Sequence, residues 1–344
     1  AICLGFKKPL LRLIFGSVEA DVMRASEIYF FYTALSFPFI ALYDAAASIF
    51  RAQDNTKGPM TISMISNIMN IVGNAIMIWG FHMGVAGAAE ATVIAQYLSG
   101  MGIMLYTLVR YKRVHAIWKI SCLKKERISE IVSFSMLTCI QQSVMNLGIL
   151  MVQGLVNSFG TVVMAASSAA YNIEIFVYDI LNSFSQACTT FVGQNYGAGQ
   201  IRRCRKVLIL CIVEDAVATA CAIVLILLAG RELLSIFNND PQVISVGYTR
   251  MIMVFSAYTI SMLYENMSGY MRGFGFSLIP AIVTTLGICG VRIFWIMAVF
   301  PSHKTFAGIL TAYPVSLSVT ALLIFIVLVI YHPSKRFHTN KGEM

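Results

Sequence analysis

Apolar residues run through this chain in long blocks, separated by short clusters of charge, glycine or proline. A helix needs about 20 consecutive apolar residues to cross the hydrocarbon core of a bilayer. Nine blocks reach that length, at 25–50, 59–80, 84–109, 129–156, 162–191, 206–229, 243–271, 278–300 and 305–331. Lipid offers no partner for a backbone N–H or C=O, so each block must close its own hydrogen bonds as a helix. The pattern therefore predicts an all-α polytopic membrane protein.

Composition narrows the function classes. Of the 344 residues, 58% are apolar and only 12% are charged, against the quarter charged that is usual in soluble domains. That balance excludes a disordered chain and a disulfide-stapled secreted domain. The net charge of +9 would suggest nucleic acid in a soluble protein, but here the cations gather between apolar blocks, where anionic headgroups are the expected neighbours and no nucleic acid is. The eight cysteines form no C-x-x-C pair, and no histidine lies in mid-block, so neither a zinc framework nor an intramembrane metal centre is expected. The chain has no G-x-S-x-G and no H-E-x-x-H, and the glycine-rich turn at 193–199 lacks the G-K-[ST] of a phosphate loop; an enzyme is not expected.

Cation placement predicts orientation. The segment 110–127 carries Arg110, Lys112, Arg113, Lys119, Lys124, Lys125 and Arg127, the turn after Gly199 carries Arg202, Arg203, Arg205 and Lys206, and the tail carries Lys335, Arg336 and Lys341. The alternate turns near 81, 158, 235 and 303 have almost none. The basic set, with the carboxyl terminus, is expected in the cytoplasm of a cell-membrane protein.

An internal repeat organises the blocks. Ile-Phe-Arg51 through Pro59 aligns with Tyr-Met-Arg272 through Pro280 at an offset of 221, which also sets Tyr43-Asp44 on Tyr264-Glu265. The same offset brings L-L-R-L-I-F-G at 10–16 within one residue of E-L-L-S-I-F-N at 232–238. Repeats related in this way are a signature of transporter architecture. The reading is two pseudo-symmetric six-helix lobes, of which this chain holds about nine helices: the last three of one lobe (1–114), a basic cytoplasmic linker (115–128), all six of the other (129–333) and a tail (334–344). About 90 residues, enough for three helices, are then expected upstream of Ala1, and the chain by itself is expected not to transport.

Several motifs now fall into a known order. Arg51-Ala-Gln-Asp-Asn-Thr-Lys-Gly-Pro59, Met83-Gly-Val-Ala-Gly-Ala-Ala89, Phe191-Val-Gly-Gln-Asn-Tyr-Gly-Ala-Gly199 and Arg272-Gly-Phe-Gly-Phe-Ser277 resemble those of the multidrug and toxic compound extrusion (MATE) transporters. The resemblance implies alternating access and export of drugs or organic cations in exchange for Na⁺ or H⁺, with no cofactor, by a protein expected to be a monomer when full length. A lipid-linked oligosaccharide flippase of the same superfamily is the alternative; it would want a strongly cationic cavity, and only Arg292 is singled out as deep in a span. The carboxylate that some members carry on the seventh helix of the complete fold falls near Gln141 or Gln142, and the tenth-helix Asp of many falls at Ile260. The coupling ion is therefore not set by analogy.

An antiporter needs a group that can exchange one cation for another, and a carboxylate within a span supplies it. Glu265 stands seven residues before Arg272, and Asp44 stands likewise before Arg51. That separation is about 10 Å along a helix, so no direct contact is expected, and Glu265 is the acid favoured for exchange. Glu174 and Asp179 are five residues apart and point about 140° away from one another, so they cannot share a cavity. Glu174, beside Asn172, is a cation candidate or an interhelical packing group. Gln141, Gln142 and Asn146 offer amide oxygens to a cation or bonds to a neighbouring helix. Arg292 needs a partner, for which Glu265 is available, while Glu214 and Asp215 are read as solvated near the cytoplasmic boundary.

Overall fold

The computed structural model describes residues 5–9, 11, 20–53, 55–110, 125–302 and 305–333, and the chain divides into two compact units, Ala1–Lys124 and Lys125–Met344. Nine stretches of the described residues are long and apolar enough to cross a membrane, and each coincides with a block read from sequence. Apart from Leu11, the amino-terminal counterpart of the 232–238 motif lies outside the described residues, as do the basic segment 111–124 and the tail after Pro333.

The first unit contains α1 (Ala20–Ala52), α2 (Lys57–Ala75) and α3 (Gly84–Arg110). Both α1 and α2 pack on α3, and Ala47, Phe50 and Ile103 are buried among Tyr43, Ile62 and Tyr106. Gly100 permits the approach of α1 to α3: a Cβ there would lie 2.8 Å from the Phe39 carbonyl oxygen. Asn70 donates to Thr92 at 3.2 Å and Asn74 to Asn70, which ties α2 to α3 by polar groups where the lipid gives no hydrophobic drive for helices to associate. The last turn of this span, Ile76–Gly80, is π-helical.

The second unit contains α4 (Lys125–Asn157), α5 (Thr161–Gly197), α6 (Ile201–Leu228), the short α7 (Gly230–Phe237), α8 (Pro241–Gly273), α9 (Leu278–Thr285), α10 (Val291–Phe294), α11 (Phe306–Leu310) and α12 (Ala312–Tyr331). One span runs through α9 and α10 with π turns at Leu286–Gly290 and Trp295–Val299, and another runs through α11 and α12. The central helix is α8, which packs on α5, α6 and α12. Its start is fixed by chemistry that the sequence displays: Pro241 at the first position and Asp240 as N-cap, accepting from the Gln242 N–H at 2.8 Å.

The α5–α8 contact rests on small residues. Gly269 and Gly273 are four apart on one face of α8; a Cβ on Gly269 would sit 2.5 Å from the Ser185 carbonyl oxygen, and one on Gly273 would sit 2.7 Å from Cβ of Val192. The backbones therefore approach closely, as in other G-x-x-x-G helix pairs. Above this contact Ala169, Ala170, Ile173 and Val177 of α5 bury against Met251 and Phe255 of α8 and Leu234 of α7.

Candidate functional site

The ionisable side chains inside the second unit fall into three groups. In the first, the Arg272 guanidinium on α8 reaches back along its own helix to within 3.8 Å of Oε2 of Glu265. The sequence expectation of no contact is corrected here, because a helical side chain leans toward the amino terminus and arginine is long enough to cover two turns. The pair is long and partly open, with 36% of the arginine and 14% of the glutamate side chain exposed. Ser185 of α5 ties it down: Arg272 donates to the serine hydroxyl at 3.0 Å, and that hydroxyl donates to the Glu265 backbone carbonyl at 2.8 Å.

The first unit repeats this wiring with other parts. Arg51 donates to the Ser48 hydroxyl at 3.2 Å, and Ser48 donates to the backbone carbonyl of Asp44, whose side chain is exposed. In both units an arginine is thus linked through one serine to the acid seven residues upstream. The serine comes from a neighbouring helix in one unit and from the same helix in the other.

The second group is closed. Glu174 of α5 accepts two bonds from Arg250 of α8, Nε to Oε1 at 2.9 Å and Nη2 to Oε2 at 3.1 Å. Both side chains are almost wholly buried, 2% and 3% exposed. Such a bidentate pair joins geometry to charge neutralisation. Arg250 also lies 5.9 Å from the Tyr313 ring centroid, and Arg292 lies 4.4 Å from the same ring while donating from Nε to Ser316 at 3.2 Å. Glu265 was the partner expected for Arg292; the structure gives it Tyr313 and Ser316 of α12 instead, because Glu265 is engaged with Arg272. Arg250 is the residue that sequence reasoning missed. The signal was available, since a guanidinium inside the apolar block 243–271 demands an acid as much as Arg292 does.

The third group lies on α6. Asp215 is fully buried, not solvated as its sequence position suggested. The helix begins at Ile201, so the cationic turn is its first turn and Asp215 stands fourteen residues inside it. Oδ1 accepts from Thr219 at 2.9 Å and Oδ2 accepts from Nδ2 of Asn266 on α8 at 2.6 Å. Glu214, its neighbour, faces outward.

The remaining candidates are not drawn into these groups. Gln141 donates to Thr284 at 2.9 Å and so joins α4 to α9. Gln142, Asn146, Asn172 and Asp179 are exposed, with Asn172 bonded to the Ser168 carbonyl of its own helix. Glu90 of the first unit accepts from the Tyr32 hydroxyl at 2.6 Å. Ile260, where many family members have an acid, packs against the cluster formed by Ala257, Tyr264 and Leu317.

Comparison with known proteins places this arrangement among relatives. The MatE family model matches residues 1–76 and 135–298. Among curated proteins, the probable multidrug resistance protein YoeA of Bacillus subtilis (strain 168) is 24% identical over 330 residues, covering 93% of this chain and 70% of its own length. Multidrug and toxin extrusion protein 1 of Mus musculus is 26% identical over 282 residues, covering 78% of this chain and 47% of its own. The chain thus spans about half the length of that mammalian relative. Among solved structures, the Vibrio cholerae MATE transporter VcmN, in a mutant form, superposes with a TM-score of 0.79 at 18% identity, covering 97% of this chain and 76% of that one.

Proposed function

Because the chain belongs to the MatE family, we propose that it works as a secondary active antiporter, exporting amphipathic and often cationic small molecules in exchange for Na⁺ or H⁺ by alternating access. The contrast between the two ion pairs found among the described residues of its second unit carries the reading. Glu174 and Arg250 are matched, buried and bidentate, and separating them would strand two charges in low dielectric. Glu265 and Arg272 are 3.8 Å apart and partly exposed, so a competing cation can replace the guanidinium at modest cost. An exchanger needs an acid of the second kind. Asp44, Gln141, Gln142, Asn146, Asn172, Glu174 and Arg292 remain proposed contributors to cation and substrate binding, with Glu174 serving through its pair with Arg250. The flippase alternative gains nothing from Arg250, since Glu174 neutralises it and leaves Arg292 as the unmatched cation of that cluster among the described residues.

The test is ion-driven efflux of a fluorescent cationic dye from vesicles containing the full-length protein. Glu265→Gln keeps the side-chain shape and removes the charge; it should abolish the ion-dependent component while the dye still binds, and Asp44→Asn should have the smaller effect. Unchanged efflux rate and ion dependence in Glu265→Gln would remove Glu265 from the mechanism.

A further inference from the structure

Asp215 is the buried charge that the pair of ion pairs leaves unaccounted for. It is 0% exposed in the middle of a membrane-spanning helix, and among the described residues no Lys, Arg or His lies within ion-pair distance of it. The charged and titratable groups around it are few. On α8, Glu265 precedes Asn266 in the chain, and Arg272 is already engaged by it. On α5, Cys188 faces the same region and its thiol contacts the Asn266 backbone carbonyl at 3.7 Å, while Glu174 is held by Arg250. On α6 itself Cys211 lies beside Cys188 and Glu214 is exposed, and on α7 Arg231 and Glu232 are both exposed. Nothing in this set offsets a full negative charge at Asp215.

A second observation comes from the partner side. Asn266 is 0% exposed and spends both amide hydrogens, one on Asp215 and one on the Met262 carbonyl, whereas its Oδ1 is buried with no partner. A buried acceptor without a donor is costly and calls for an explanation. The amide keeps that orientation because turning it would set Oδ1 against both the carboxylate and the Met262 carbonyl. The carboxylate has two donors but no cation. One added proton on its Oδ1 cancels the buried charge, and the resulting O–H donates to the Thr219 hydroxyl, whose own hydrogen turns to the backbone carbonyl one helical turn back. Asn266 keeps its bond to Oδ2 throughout.

We infer that Asp215 is a proton-binding site of the second unit, with Asn266 as the positioning residue that bonds Oδ2 through Nδ2 in the anion and the acid alike. The site is distinct from Glu265 and takes a proton whichever ion is exchanged there. Bare Na⁺ fits it poorly, because the groups already facing the carboxylate are hydrogen-bond donors rather than the five or six oxygens such an ion prefers. The inference rests on the transmembrane reading of α6 and α8 but not on drug export, and its test does not need transport.

Infrared difference spectroscopy of the purified chain in lipid nanodiscs, comparing acid with alkaline buffer, reads the C=O stretch of a buried protonated carboxyl group. A band that appears on acidification is expected in the wild type, absent in Asp215→Asn, displaced in Asp215→Glu and moved to higher frequency in Asn266→Ala, where the donor to the carboxyl C=O is gone. Glu265→Gln should leave the band in place. If Asp215→Asn does not fold, the displacement in the Glu and Ala variants decides the matter. No titrating band, a band unchanged in Asp215→Asn, or a band abolished when Na⁺ replaces K⁺ at constant ionic strength would each overturn the assignment.

Discussion

A single residue can be read from sequence only as far as its partner can be guessed. Glu174 was legible as an intramembrane acid, yet whether it binds cargo or braces two helices depended on Arg250, which stands 76 positions away on another helix. The structure pairs it with that arginine by two hydrogen bonds across α5 and α8. Glu174→Gln should therefore leave Arg250 buried without a counter-charge and cost about 3–5 kcal/mol, and replacing the pair together, as in Glu174→Leu with Arg250→Met, should recover most of that. Thermal unfolding of the detergent-solubilised protein measures both; a Glu174→Gln variant as stable as the wild type would show that the pair contributes nothing. Asp215 was misplaced for a different reason. The apolar block begins only at Lys206, which puts Asp215 close to its boundary, but basic side chains can lie along the first turn of a membrane helix and extend their ends into water, so the helix starts earlier at Ile201.

Whole elements were far more legible than individual partners. Crossing a bilayer demands length and apolarity, and both are written locally, which is why the nine blocks reappear in the structure. What the blocks did not display is how they meet. Short α7 was visible only as a repeated motif, and the π turns of the α9–α10 span have no signature in hydropathy. The close pairing of α5 with α8 was readable in principle from Gly269 and Gly273, four apart in an apolar run. Adding one methyl group at the tighter of these sites, Gly269→Ala, should force the helices apart at Ser185 and destabilise the unit by about 1–3 kcal/mol. Because Ser185 also holds Arg272 and the Glu265 backbone, the same change should weaken ion-driven dye efflux more than Gly193→Ala, where the added Cβ meets its nearest neighbour at 3.7 Å. Equal loss of stability and efflux in the two variants would count against the close contact.

At the scale of the molecule, the repeat is the feature that sequence displayed best, since an offset of 221 needs no structural knowledge to detect. Its physical content appeared only with side chains in place, in the arginine–serine–carbonyl link found in both units. Orientation follows from the cations, and the exposed turn bearing Arg202, Arg203, Arg205 and Lys206 is proposed to face the cytoplasm. A single cysteine replacing Gln200 in a cysteine-free background should resist an impermeant maleimide in intact cells and react after permeabilisation. Labelling from outside would invert the assignment for every span together.

The depth of Asp215 has an electrical consequence. It stands fourteen residues from one end of α6 and thirteen from the other, so a charge bound there has crossed about half of the insulating layer. A full elementary charge carried across the bilayer responds to voltage by about 2.3 kcal/mol per 100 mV, and half of that distance corresponds to about 1.2 kcal/mol, about a sevenfold change in affinity. Occupancy of this carboxylate is thus set by the membrane potential as well as by the concentration of protons, and a cell that hyperpolarises or depolarises its membrane would shift the charge held in the middle of α6 without any change in pH.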